Sequence, residues 1–239
     1  MTAPIQCRDV THRYRANRAE ALSGVSLDLP EGIVGLVGAN GAGKSTLLRI
    51  LAGVIAPTTG VVTIHGIAAE TYREQRGVGF IADRRQLPPW LTVIEFLDGL
   101  RARGGYPTPS AVELALASEW SIASLDDALL NEISLGQARR VEVLAALIGD
   151  SDLLLFDEPT NGLDPLAMTT LRAGILGCKR PGRTVVVSSH HLDELQRIAD
   201  CVVFLREGRV TRVLSAAELS SSADSLEQHF LASEDARAS

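Results

Sequence analysis

The stretch GLVGANGAGKSTLLRI, residues 35–50, crowds glycines around a single lysine where a short apolar run gives way to a helical pattern. Gly38, Gly43, Lys44 and Ser45 stand at the spacing G-x-x-x-x-G-K-S/T. Glycines so placed let backbone N–H groups curl around phosphate oxygens, while the lysine and the hydroxyl reach phosphate and magnesium. The spacing therefore points to a nucleotide. Lys44 is one of only two lysines in a chain that otherwise uses arginine, as expected where a compact point charge is required.

Working outward, IQCRDVTHRY and ALSGVSLDLP alternate apolar and polar residues as half-exposed strands do. IVGLVG is a short continuous apolar run, the mark of a strand buried on both faces. A helix is expected from Lys44 to about Ala52, stopped by Gly53. GVVTIHG and VGFIAD read as two further strands. From about 84 to 149 the spacing turns helical, in LTVIEFLDGLRARGG, PSAVELALASEW and GQARRVEVLAALIG, so a helical insertion is expected there. DLLLFDEP and RTVVVSSHH return to buried-strand character around the helical PLAMTTLRAGILG, and CVVFLREGRVTRVL reads as a hairpin turned at Glu207-Gly208. Strands alternating with helices imply an α/β fold with a mainly parallel sheet covered on both sides. One domain over 1–214 is expected, followed over 215–239 by one short helix and a frayed tail.

Composition narrows the class. With 46% hydrophobic and 22% charged residues among 239, the chain can bury a full core. A formal charge of -6 disfavours a phosphate-backbone partner, so no nucleic acid is expected. Cys7, Cys178 and Cys201 lie far apart without a C-x-x-C pair, which indicates buried, inert thiols rather than zinc or a disulfide framework. No apolar run is long enough to span a bilayer, so any membrane role is expected to pass through another chain.

Ligands of open parallel sheets bind beyond the carboxyl ends of the strands. Four of the expected buried strands end in reactive groups: the Gly38 loop, Asp83, the pair Asp157 and Glu158, and His190. Beside a phosphate loop, one carboxylate of the pair can hold magnesium and its neighbour can deprotonate a water for in-line attack on the terminal phosphate.

GANGAGKST, LLLFDEPTNGLDP, VVVSSHHLDEL and ISLGQARRVEVLAAL resemble the phosphate loop, Walker B with D-loop, switch-histidine and signature segments of ATP-binding cassette (ABC) transporter ATPases. The phrasing is most similar to the stand-alone cassettes of bacterial ABC-2-type exporters. The resemblance implies a P-loop NTPase core with an N-terminal antiparallel β subdomain and an inserted helical, signature-bearing subdomain. It implies ATP and Mg2+ as cofactors: Tyr14 stacks on adenine, Asn40, Gly41, Ala42, Gly43, Lys44 and Thr46 hold phosphates, and Ser45 and Asp157 hold the metal. Tyr14 reads equally well as an edge-strand tyrosine.

Glu158 is then the catalytic base, and His190 contacts the γ-phosphate. Ser134, Gly136, Gln137 and Asp164 belong to the interface with a second subunit's nucleotide. Ser134 and Gln137 also have the spacing of a capping box, and Asp164 that of an N-cap before Pro165. Two departures stand out. Leu135 replaces the signature's usual first glycine, and Asp83 stands where the family carries a metal-sensing glutamine, Gln86 lying three residues further on.

The expected function is ATP hydrolysis by a subunit that dimerises around ATP, as a homodimer or with a relative, to power a separate transmembrane permease. Export is implied, with the chain peripheral at the cytoplasmic face of the membrane. RRQLPPWLTVIEFL is the expected docking segment, although Trp90 could instead pack beneath the helical subdomain. The alternatives are a non-transport cassette that acts as a nucleotide-driven clamp, and a regulatory module that binds ATP without turnover.

Overall fold

The computed structural model describes residues 3–15, 19–83, 87–221 and 226–235. The chain opens with Ile5–His12 (β1), Leu22–Leu29 (β2), Gly32–Val37 (β3) and Lys44–Leu51 (α1). Thr59–Ile64 (β4), Ile67–Ala68 (β5), Ala69–Arg76 (α2) and Gly79–Ile81 (β6) follow. The helical segment comprises Val93–Gly104 (α3), Ala111–Glu119 (α4) and Leu135–Leu147 (α5). The chain then runs through Leu153–Asp157 (β7), Pro165–Gly177 (α6), Thr184–Ser189 (β8), Leu192–Gln196 (α7), Cys201–Arg206 (β9) and Arg209–Leu214 (β10). Ala216–Ser221 (α8) and Leu226–Asp235 (α9) close it.

Two sheets form. The first is antiparallel in the order β2-β1-β4-β5, and the second has the order β10-β9-β3-β8-β7-β6. In the second sheet β3, β6, β7, β8 and β9 pair parallel, and only the hairpin strand β10 runs antiparallel. Successive strand residues point to opposite faces, and β3 shows what that demands of its sequence. Ile33 and Val37 enter a core shared with α3, α4, α5 and α6, whereas Val34 and Leu36 enter a second core shared with α1 and the antiparallel sheet. Both faces are apolar, so no polar position interrupts the run.

The expected α/β architecture is present, with an antiparallel N-terminal sheet and helices inserted between β6 and β7. Gly53 ends α1 as expected, at φ +62° and with its N–H donating to Ile50 O at 2.9 Å. Three details differ. α2 has only Ala69 and Tyr72 buried, so its sequence carries too few apolar residues to show a period. α7 spans 5 residues, too short for one. Among the described residues, the end of the chain holds two helices where one was expected. Ser215 and Glu218 cap the first reciprocally, and the buried Leu226 anchors the second, its N–H donating to Gln196 Oε1 at 3.2 Å.

The helices that carry the signature and D-loop residues start on built caps. Ser134 Oγ accepts from Gln137 N at 3.2 Å while Gln137 Oε1 accepts from Ser134 N at 2.8 Å. Asp164 Oδ1 accepts from Leu166 N and Ala167 N at 2.9 and 3.0 Å. Each satisfies orphan donors of a helix N-terminus. Replacing Ser134 or Asp164 with alanine is expected to cost about 0.5–2 kcal/mol, read as a lower urea midpoint of the nucleotide-free chain.

Cys7, Cys178 and Cys201 are free and buried. Burial pushes the thiols of Cys7 and Cys178 up to about 12 and that of Cys201 up to about 11, so they stay protonated at neutral pH. The native protein is therefore expected to resist a thiol-exchange dye at pH 8 and to react at all three cysteines once unfolded in guanidinium.

Candidate nucleotide-binding site

A cavity of about 690 Å³ opens beyond the carboxyl ends of the parallel strands. Its walls are Tyr14, Ala39 through Thr46, Asp83, Glu158 and His190, with Ala19, Glu20, Ala21 and Asn161 added. The strand ends expected to meet do meet here. Asp157 does not line the cavity and is buried at the last position of β7.

The loop's shape follows from its glycines. Gly41 and Gly43 sit at φ +82° and +104°, where side chains are strained. A Cβ on Gly43 would stand 2.5 Å from Ala21 O, and one on Gly38 would run into the Leu205 carbonyl. Gly43 is also the N-cap of α1, which has neither a side-chain cap nor an acidic residue in its first turn. Such a terminus presents bare N–H donors and the positive end of the helix dipole to an anion. Lys44, only 6% exposed, donates to Gly38 O at 2.7 Å and Ala39 O at 3.3 Å and meets Glu158 Oε1 at 3.2 Å. The last contact is an ion pair without hydrogen-bond geometry, since Glu158 Oε1 has no directed donor. Tyr14 brings its hydroxyl within 3.3 Å of Thr46 Oγ1 and stands edge-on to His12.

Glu158 is 7% exposed and adopts φ +48°. Its Oε2 contacts His190 Nδ1 at 2.8 Å and accepts from His190 N at 3.3 Å, so the carboxylate is anchored on β8's exit. Asp83 Oδ1 accepts from Asn161 Nδ2 at 3.4 Å. Behind it the buried guanidinium of Arg139, on α5, donates to Ala82 O at 3.1 Å and Asp83 O at 2.7 Å. Gln86 lies outside the described residues.

Ser45, Asp83 and Asp157 offer only hard oxygen donors. Among the described residues no group of three or more His, Cys, Asp or Glu side chains is arranged to hold an ion by itself. That set fits magnesium, which is commonly bound through one or two carboxylates together with substrate phosphates.

Ser134, Gly136, Gln137 and Asp164 are not part of this cavity. The segments that carry them approach each other elsewhere: a Cβ on Gly162 would stand 3.1 Å from Leu135 Cδ2, and one on Gly136 would stand 3.0 Å from Ala167 Cβ. Sequence reasoning missed Asn161, although it lies within TNGLD, and it missed Arg139 and the wall at 19–21, which carry no motif. Trp90 is 74% exposed, which excludes packing beneath the helical subdomain; Trp120 packs there instead, on Gly174.

Residues 22–161 match the family described as ABC transporter. Protein STAR1 of Oryza sativa subsp. japonica is 36% identical over 238 residues, which span 95% of this chain and 67% of the rice protein. The lantibiotic transport ATP-binding protein SrtF of Streptococcus pyogenes is 33% identical across 79% of this chain and 82% of its own. The cassette MJ0796, solved as a dimer in a post-hydrolysis state with ADP and Pi, superposes with a TM-score of 0.73 at 26% identity, covering 89% of this chain and 98% of that one. Phosphate loop, acid pair and histidine at one sheet edge, together with these likenesses, establish that the chain belongs to the ABC transporter family as an ATP-binding, ATP-hydrolysing cassette.

Proposed function

We propose that two copies of this chain close head to tail around ATP and drive a separate membrane permease at the cytoplasmic face, in the direction of export. The observation that carries the reading is the single cavity in which the Lys44 loop, Glu158 and His190 converge. The lantibiotic-transport relative supports the transport role, and the dimeric neighbour supports the pairing. Residues 1–214 form the ATPase domain and 215–239 an appendage to it.

Gly38 and residues 40–46 cradle the phosphates, and Tyr14 backs the base by ring stacking. Ser45 and Asp157 would hold Mg2+, with Asp83 as a further oxygen donor, and the bound ion would supply positive charge to the phosphates. Glu158 takes the proton of the attacking water, and His190 holds that carboxylate and reaches the γ-phosphate. Ser134, Gly136, Gln137 and Asp164 complete the partner copy's site, with α5 offering its N-terminal dipole. Closure around ATP and separation after hydrolysis deliver the free-energy difference that shifts the permease between its states.

Docking falls to the exposed Trp90 and to a groove of about 510 Å³ lined by Phe80, Leu87, Phe96, Leu100 and Ile148. Co-purification with a membrane permease, and stimulation of ATP hydrolysis by it in proteoliposomes, test the assignment. Hydrolysis without binding to a permease would favour the nucleotide-driven clamp instead.

Glu158→Gln keeps the side chain's shape and removes its basicity, so turnover should fall by about 10²–10⁴ with ATP binding retained. Sedimentation of that variant with ATP should reveal a dimer, and adding Ser134→Arg should return it to monomer. A wild-type rate in Glu158→Gln would remove Glu158 from the base role.

Asp83 carries a full charge where an amide is usual and repels the γ-phosphate whenever metal is absent. Asp83→Gln is therefore expected to raise basal hydrolysis severalfold and to weaken stimulation by the permease, whereas Gln86→Ala should change little. Reversal of those two outcomes in steady-state ATPase assays would make Gln86 the sensor.

A further inference from the structure

Ser188 lies within β8, paired in register with Asp157 of β7, and is fully buried. Its hydroxyl donates to Asp157 Oδ1 at 2.7 Å and accepts from Glu158 N at 2.9 Å. Its carbonyl accepts from the same Glu158 N at 3.2 Å. A serine hydroxyl has one proton and two lone pairs, and an amide can only donate. The proton is therefore committed to Asp157, which takes part as an acceptor. One side chain thus touches both members of the acid pair, through the carboxylate of the first and the backbone of the second.

The backbone contact matters because Glu158 occupies the left-handed region at φ +48°, which a non-glycine residue adopts only when its surroundings hold it there. The forked bond from Glu158 N to Ser188 is such a hold. It sets the direction in which the Glu158 side chain leaves the strand toward Lys44 and His190.

We propose that Ser188 is a positioning residue for ATP hydrolysis, whose single hydroxyl aims the metal-binding carboxylate of Asp157 and the basic carboxylate of Glu158 together. The proposal rests on the roles given above to Asp157 and Glu158. Removing the hydroxyl leaves Asp157 Oδ1, in a residue 1% exposed, without that donor, and leaves Glu158 N with the carbonyl alone. Both groups can then turn. Ground-state binding of ATP, which depends on the phosphate loop, should be little affected.

The test compares Ser188→Ala, Ser188→Thr and Ser188→Cys with wild type, reading kcat, KM for ATP, the Mg2+ concentration for half-maximal rate and the urea midpoint. Ser188→Ala should lower kcat about tenfold or more, the loss expected for a hydrogen bond to a charged group. KM for ATP should stay within about twofold, and the Mg2+ midpoint should rise severalfold. Ser188→Thr, which keeps the hydroxyl, should recover most of kcat. If its added methyl prevents folding in this buried place, Ser188→Cys, a weaker donor, should fall between serine and alanine.

A Ser188→Ala protein with a lower urea midpoint but wild-type kcat and Mg2+ dependence would reduce Ser188 to a tie between strands and overturn the proposal. Glu158→Gln is run alongside. If it keeps the wild-type rate, the base assignment itself has failed, and the Mg2+ midpoint of Ser188→Ala still decides whether the serine aims Asp157.

Discussion

Burial of the parallel sheet on both faces is the constraint from which the other features follow. β3, β7 and β8 are walled by helices on one side and by α1 with the antiparallel sheet on the other, so their side chains have no solvent face to use. Groups that reach a ligand can appear only where a strand runs out. Asp157, Glu158 and His190 stand at or just past such ends, and the glycine loop leaves the end of β3. Parallel pairing carries the ends to one edge. The acid pair, the histidine and the lysine are therefore neighbours because the strands are, and the convergence is a property of the fold before it is one of the site.

The same constraint accounts for how much the sequence shows by itself. Uninterrupted apolar runs such as LLLF and VVV suit a doubly covered strand and little else, and glycine spacing names its own ligand. Capping spacings at Ser134 and Asp164 were legible because a cap is local, set by three or four consecutive residues. α2 was illegible for the opposite reason. It covers the antiparallel sheet with little more than Ala69 and Tyr72, and tertiary contact rather than period maintains it.

Buried polar partnerships were the least visible. Arg139 reaches carbonyls 56 and 57 residues away in the chain, and Ser188 reaches a carboxylate 31 residues away. Neither spacing means anything until the strands are laid side by side. The two tryptophans make the point with one residue type: Trp120 is 3% exposed and Trp90 is 74% exposed, although each stands in an apolar neighbourhood of sequence. What separates them is Gly174, whose missing side chain makes room for the indole of Trp120.

Leu135 and Gly162 share one pocket of space between the start of α5 and the turn ahead of α6. A Cβ at 162 would stand 3.1 Å from the leucine's Cδ2, so a side chain there needs that methyl to give by a few tenths of an ångström. The two positions are therefore coupled in packing, and Gly162, held at φ +75°, is poorly suited to receive a side chain in any case. Leu135→Gly should therefore relax the packing demand at 162 without lifting the backbone's own demand for glycine there.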